Sequence, residues 1–262
     1  MPEPADSTER FGARAGAYAR ARPGYPDFAI SALAQALGLQ AGATIVDLGC
    51  GTGLSCEPFL RAGFAVVGVE PNAAMRAHAL ERLGGQSGFR AVDGRAEATG
   101  LDAACADLLV AAQAFHWFDV PAARAEALRI LRAPARAALL WNDRRAAGSP
   151  FATGYEDLLR HYSTEYLELR HRHERSDRID EFFGSSRWRT LTVTHEDELD
   201  YPRLADRLNS ASYVPAAADP RHAAMMAALQ QLFAQTAQHG MVTMEFETRV
   251  VYGQIEGARP LS

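Results

Sequence analysis

The clearest pattern along the chain is a short β-branched run, ATIVDL (43–48), that stops at a glycine cluster, GCGTG (Gly49 to Gly53). A run with so little polar alternation predicts a strand buried on both faces. After it, LSCEPFLRAG predicts a helix stopped by Gly63, AVVGVE a second strand, and NAAMRAHALERL a helix stopped by Gly84 and Gly85. FRAV and DLLVAAQ predict strands three and four. Pro121 stands where it opens a helix through Leu131 with Asp119 as its cap, and ARAALLW predicts strand five. Strands and helices alternating at these lengths specify a doubly wound, parallel α/β sheet with right-handed crossovers.

Both ends depart from that rhythm. Ahead of the first strand, STERFGARAGAYAR (7–20) predicts a helix, RPGYP (Arg22 to Pro26) breaks it, and a second apolar helix ends near Gly38. Beyond Asp143 the stretch from Ser149 to Arg178 reads as helical and highly charged. WRTLTVTHEDEL follows as a strand, RLADRLNSASY and AAMMAALQQLFAQTA as helices, and VTMEFETRVVYG as the closing strand. The middle reads as an insertion between strand five and a terminal pair of strands, placed to act as a lid.

Composition narrows the chemistry. A chain of 262 residues suits one α/β domain with an insertion and needs no staples to fill its core. The cysteines, Cys50, Cys56 and Cys105, are odd in number and form no CxxC pair, which disfavours a disulfide framework or zinc site and fits a reducing cytoplasm. The polar N-terminus MPEPADSTER and the lack of any apolar run near ~20 residues predict neither secretion nor membrane insertion. A net charge of −5 makes nucleic acid a poor substrate. All 27 basic residues are arginine, so Schiff-base catalysis, a P-loop lysine and a catalytic Tyr-Lys pair are excluded.

The strongest local signal is VDLGCGTG (Val46 to Gly53), an acid at the end of a buried strand followed by alternate glycines leading into a helix. A tight strand-to-helix turn demands backbone angles that a Cβ penalises, and a bare backbone lets a nucleoside pack against the chain. Glu70 lies 17 residues after Gly53 at the end of strand two, where a carboxylate can accept both ribose hydroxyls. The two anchors imply an adenosine-type ligand. A nicotinamide-dependent oxidoreductase shares them, but GxGxxG starting at Gly49 wants glycine where Leu54 stands.

With VEP (Val69 to Pro71), DGRAE (Asp93 to Glu97) and QAFHWFD (Gln113 to Asp119) added, the chain resembles class I S-adenosylmethionine-dependent methyltransferases of the small-molecule type. It is similar to those acting on trans-aconitate or in ubiquinone biosynthesis, over roughly residues 10 to 145. The resemblance implies a Rossmann-like, mostly parallel seven-stranded sheet with a helical lid. It divides the chain into cofactor-capping helices (1–40), an S-adenosylmethionine-binding core (41–145), an insertion over the substrate (146–240) and a terminal strand completing the sheet (241–262).

Residue by residue, Asp47, Gly49, Cys50, Gly51 and Gly53 resemble the motif beneath the methionine half of the cofactor, and Glu70 resembles the ribose acid. Pro71 and Met75 are implied near the adenine, Arg95, Ala96 and Glu97 along its edge, and Gln113 and Ala114 at the donor end. Tyr18 and Arg22 are candidates from the N-terminal helices. Two departures stand out: Arg95 replaces an acidic residue before Ala96, and LRAPARAALL offers Pro134 without glycine before strand five.

For the acceptor, the carboxyl end of strand four brings forward His116 and Trp117 as pocket residues, with Tyr25 and Tyr213 beside them. His116 is also the candidate general base, since imidazole titrates near neutrality. His171 and His173 are two apart, which on a helix points them away from each other, so no metal is expected. Methyl transfer to an oxygen, nitrogen or carbon nucleophile by in-line displacement is the implied reaction. A non-catalytic sensor of the same cofactor remains open, as does the oligomeric state. A nucleic-acid base methyltransferase is disfavoured, because QAFHW stands where Asn/Asp-Pro-Pro-aromatic belongs.

Overall fold

The computed structural model describes residues 23–163, 176–211 and 213–257. Tyr18, Arg22, His171, His173 and the helix expected over 7–20 therefore lie outside the described residues.

The chain enters through α1 (Asp27–Leu37), which buries Ala29, Ile30 and Leu33 on one face and ends on Gly38 in the left-handed conformation, φ 62°. Then β1 (Thr44–Leu48), α2 (Cys56–Arg61), β2 (Ala65–Val69), α3 (Ala73–Leu83) and β3 (Phe89–Val92) alternate as the sequence requires. β4 (Leu108–Ala112) leads through a single 3-10 turn, Phe115–Trp117, into α4 (Val120–Ile130), and β5 (Arg136–Arg144) follows. Local chemistry sets the helix starts: the Asn72 side chain accepts the Met75 N–H at 3.0 Å, and Asp119 accepts that of Ala122 at 3.3 Å.

Beyond β5 come α5 (Pro150–Tyr162), α6 (Ser176–Phe183), β6 (Arg189–Leu199), α7 (Tyr201–Asn209), α8 (Pro220–Thr236) and β7 (Val242–Gln254). The seven strands form one sheet in the order β3-β2-β1-β4-β5-β7-β6. β1 to β5 are mutually parallel, whereas β7 runs antiparallel to both β5 and β6. The fold is thus α/β and doubly wound, with a mostly parallel seven-stranded sheet. Within 146–240, β6 joins that sheet, pairing with β7 from Arg189↔Tyr252 to Leu199↔Val242.

Side chains alternate across the sheet and fill two cores. Val46, Leu48, Leu109 and Leu139 meet α4 and α6, while Ile45, Val66, Val110 and Leu140 meet α1, α2 and α3. Each fully buried Ile or Leu contributes roughly 1.5–3 kcal/mol, so these faces dominate stability. A third cluster forms where α5 packs on β7 at Val242, Met244 and Phe246, α7 packs on β6 at Leu199, and α8 covers those two helices. A buried ion pair, Arg144 with Glu156, joins β5 to α5 beside it.

Candidate functional site

The carboxyl ends of β1, β2 and β4 lie side by side because β1 is paired with both others. The turn after β1 folds back on β2: the amides of Gly49 and Cys50 donate to the Val69 carbonyl at 2.8 and 3.2 Å. Gly49, Gly51 and Gly53 take φ values of 68°, 57° and 82°, a region L side chains rarely adopt. A Cβ on Gly49 would stand 2.7 Å from that of Ala114, whereas one on Gly51 would meet nothing within 4 Å. Gly49 therefore allows close approach, and Gly51 leaves its face open.

Glu70 closes the turn from the opposite side. Its Oε2 accepts the Gly51 N–H at 3.0 Å and its Oε1 accepts the Asn72 N–H at 2.8 Å, with the residue 8% exposed. Burial raises its carboxyl above the usual carboxylate range, against the pull of those two amides and of Arg76. Arg76 in turn donates to the Glu70 carbonyl at 2.6 Å.

Asp47 is buried completely. Its Oδ2 accepts from Ser55 and from the Cys56 thiol, the latter at 3.2 Å, and its Oδ1 has no partner among the described residues. Burial lifts its pKa from 3.8 to about 6, with the Ser55 and Cys56 bonds opposing and the Glu70 charge reinforcing.

Above the turn opens a cleft with about 830 Å³ of empty space, open solvent at its mouth included. Among the residues named from sequence, Gly49, Gly51, Glu70, Pro71, Met75, Arg95, Ala96, Glu97, Gln113, Ala114 and Trp117 line it together. Asp47, Cys50 and Gly53 stand behind that wall. Cys50 is buried where a Cβ on Gly68 would come within 2.6 Å of its sulfur, and a Cβ on Gly53 would strike Leu83 at 2.7 Å. Tyr25 is buried in the core under α1, and Tyr213 packs on the third cluster; neither lines the cleft.

His116 does not line it either. Its ring lies 4.7 Å from that of Trp117, which is 39% exposed. Sequence reasoning passed over Asn72, Ala112 and Phe118, which do line the cleft. Asn72 carries a helix-cap signal and Phe118 belongs to QAFHWFD. A lone 3-10 turn has neither the two-residue nor the 3.6-residue period that would tell which of its aromatics faces inward.

The far end of the cleft rests on Gln113, which directly follows β4. It is one of three non-glycine residues with positive φ among those described, at 55°, and its Nε2 donates to the Asn142 carbonyl at 3.1 Å. Glu97 accepts the Asp119 N–H at 2.9 Å, and Arg95 beside it is 62% exposed at its side chain. Among the described residues there is no group of three or more His, Cys, Asp or Glu able to hold a metal.

A buried acid at the end of β2, an open glycine face after β1 and apolar walls from Pro71, Met75, Trp117 and Phe118 suit an adenosine ligand with a charged tail. Together with the strand order and the antiparallel β7, they form a Rossmann-like site at the carboxyl ends of the parallel strands. Residues 46–139 match the family model described as a methyltransferase domain.

Curated relatives match parts of the chain, and solved structures share its fold. An uncharacterized methyltransferase of Mycobacterium tuberculosis (strain ATCC 25618 / H37Rv) is 38% identical over 143 residues, 53% of this chain and 54% of its own. A ubiquinone biosynthesis O-methyltransferase of Bradyrhizobium sp. (strain ORS 278) is 44% identical over 62 residues, 24% of either chain. The chain thus spans about half the length, or less, of these curated relatives. A structure from Anaeromyxobacter dehalogenans, assigned as a type II methyltransferase, aligns with TM-score 0.62 and 24% identity over 89% of this chain and 98% of its own. One from Anabaena variabilis, assigned to an antibiotic biosynthesis pathway, gives 0.58 and 21% over 90% and 99%. At these identities the structures establish the fold.

Proposed function

We propose that the chain is an S-adenosylmethionine-dependent methyltransferase acting on a small-molecule acceptor. The observation that supports this most is Glu70: a buried carboxylate bonded to Gly51 of the glycine turn, standing in the wall of a cleft that reaches Gln113. Two backbone amides hold that carboxylate in place, and its remaining lone pairs suit a pair of vicinal hydroxyls.

The bound cofactor would supply an electrophilic methyl group on a cationic sulfur, already joined to a good leaving group. Glu70 would hold the ribose, Pro71, Met75 and Ala96 the adenine, and the open face of Gly51 the amino-acid arm. Arg95 and Glu97 would meet the adenine edge. What remains for this chain is to place the acceptor in line with the methyl and exclude water, which is where most of the rate arises in such a displacement. His116 would serve as base or positioning group for an acceptor that arrives protonated. The N-terminal residues 1–40 would cap the cofactor and 146–240 would cover the acceptor.

A net charge of −5 suits a small acceptor better than nucleic acid. Among the described residues no helix is long and apolar enough to cross a membrane. The three free cysteines accord with action in a reducing cytoplasm. Titration calorimetry with S-adenosylmethionine, S-adenosylhomocysteine and NADH tests the cofactor: heat with the first two and none with NADH is expected. Binding of NADH alone would reject the reading. Transfer of labelled methyl to small phenols, amines or acids would separate an enzyme from a sensor.

A further inference from the structure

Asn142, on β5, is held from three directions. Its Nδ2 donates to the Gly24 carbonyl at 3.0 Å, in the segment just ahead of α1. Its Oδ1 accepts from the hydroxyl of Thr248 on β7, which is fully buried. Its main-chain carbonyl accepts Gln113 Nε2 at 3.1 Å. The register explains why these meet: Leu140 is level with Ala112 at the end of β4, and Asn142, two residues on, is level with Thr248.

The orientation of the Asn142 amide is unique. Turning it over would set its oxygen against the Gly24 carbonyl, two acceptors facing each other. Thr248 has one hydroxyl hydrogen and gives it to Asn142, so toward His195 Nδ1, 3.4 Å away, it can only accept. The line therefore runs in one sense, from His195 through Thr248 and Asn142 to Gly24.

Gln113 gains most from this. A non-glycine residue in the left-handed region costs on the order of 1 kcal/mol and persists only where its surroundings hold it. Its N–H donates to the Leu140 carbonyl at 2.9 Å and its Nε2 to Asn142, so both bonds that hold it come from the end of β5. With one Nε2 hydrogen held by Asn142 the amide is fixed in orientation, and Oε1 is the acceptor its side chain offers within the cleft it lines.

We propose that Asn142 is a positioning residue for the donor end of the cofactor cleft: by locking the end of β5 between Gly24 and Thr248, it holds Gln113 ready to accept a hydrogen bond from the cationic amino-acid arm. The inference rests on the methyltransferase reading and adds a residue outside the cleft wall.

The test compares S-adenosylhomocysteine, which carries the amino-acid arm, with 5′-methylthioadenosine, which lacks it, on the full chain. Asn142→Ala and Gln113→Leu each raise the Kd for S-adenosylhomocysteine about tenfold, the effect of one hydrogen bond, and leave that for methylthioadenosine within about twofold. The double variant loses no more than the worse single one, because the two residues act as a unit. Thr248→Val, which leaves Asn142 in place, shows the same selectivity and serves if Asn142→Ala does not fold. Equal losses for both ligands, or additive losses in the double variant, overturn the proposal. Failure of the wild-type chain to bind either nucleoside would instead reject the methyltransferase reading beneath it.

Discussion

Glu70 and Gly51 are joined by a hydrogen bond of 3.0 Å, so the carboxylate that faces the cleft also clamps the glycine turn beneath it. Its second oxygen is taken by the Asn72 amide at 2.8 Å. Both oxygens thus act as acceptors for backbone donors. Glu70→Ala is expected to weaken S-adenosylmethionine binding by roughly 1–3 kcal/mol, about 5- to 150-fold in Kd. Glu70→Gln is expected to do no better, because its NH2 group would confront one of the two N–H donors. Calorimetric titration of the three proteins checks both.

Two glycines of the same turn give opposite outcomes. Gly49→Ala puts a methyl 2.7 Å from Ala114 Cβ at a φ of 68°, so it loses stability by both clash and strain, about 2–4 kcal/mol. Gly51→Ala meets nothing within 4 Å and carries only the strain of its φ of 57°, on the order of 1 kcal/mol. Its methyl enters the space meant for ligand, so the cofactor is lost from a folded protein. Thermal melts and cofactor titrations, run side by side, separate the two.

Asp47 supplies a pH prediction. Burial raises its native pKa to about 6 against 3.8, so the folded state holds the proton more tightly than the unfolded one. Stability from this group is complete below about pH 4 and is lost as pH rises through about 6, a change on the order of 3 kcal/mol. Asp47→Asn removes that dependence, since Ser55 and Cys56 both donate to a single oxygen that asparagine retains. Urea unfolding from pH 4 to 8 should show the variant gaining on the wild type as pH rises. A constant difference across that range would refute it.

The alternating core was legible because strands buried on both faces read as unbroken apolar runs and because glycines mark where helices stop. Gly49 and Glu70 could be placed at the ends of β1 and β2 by local pattern, since those two strands pair directly. Other residues carried no such mark. Phe118 and His116 are two apart on an irregular turn, and only Phe118 lines the cleft. Asn142, Thr248 and His195 come from three strands, and nothing short of the β5, β7 and β6 register brings them together. The insertion, too, read as helices and a strand without revealing that β6 forms the sheet's edge.

Glu156 tests the junction of sheet and insertion. It pairs with Arg144 and with Arg160, and the Arg144 side chain is 12% exposed. Glu156→Ala takes the carboxylate from that guanidinium in a poorly hydrated place and is expected to cost about 3 kcal/mol. Arg144→Met with Glu156→Leu should recover most of the loss, as read by denaturant midpoints at unchanged m-value.

The third apolar cluster has a mechanical consequence. α7 is seated on β6 and α5 on β7, strands that are themselves hydrogen-bonded into the platform bearing the cleft, and α8 packs on those two helices. Such a mounting behaves as a bracket rather than a flap: α5 and α7 travel with the strands they sit on, and a hinge that swung them away would first have to break this apolar seat.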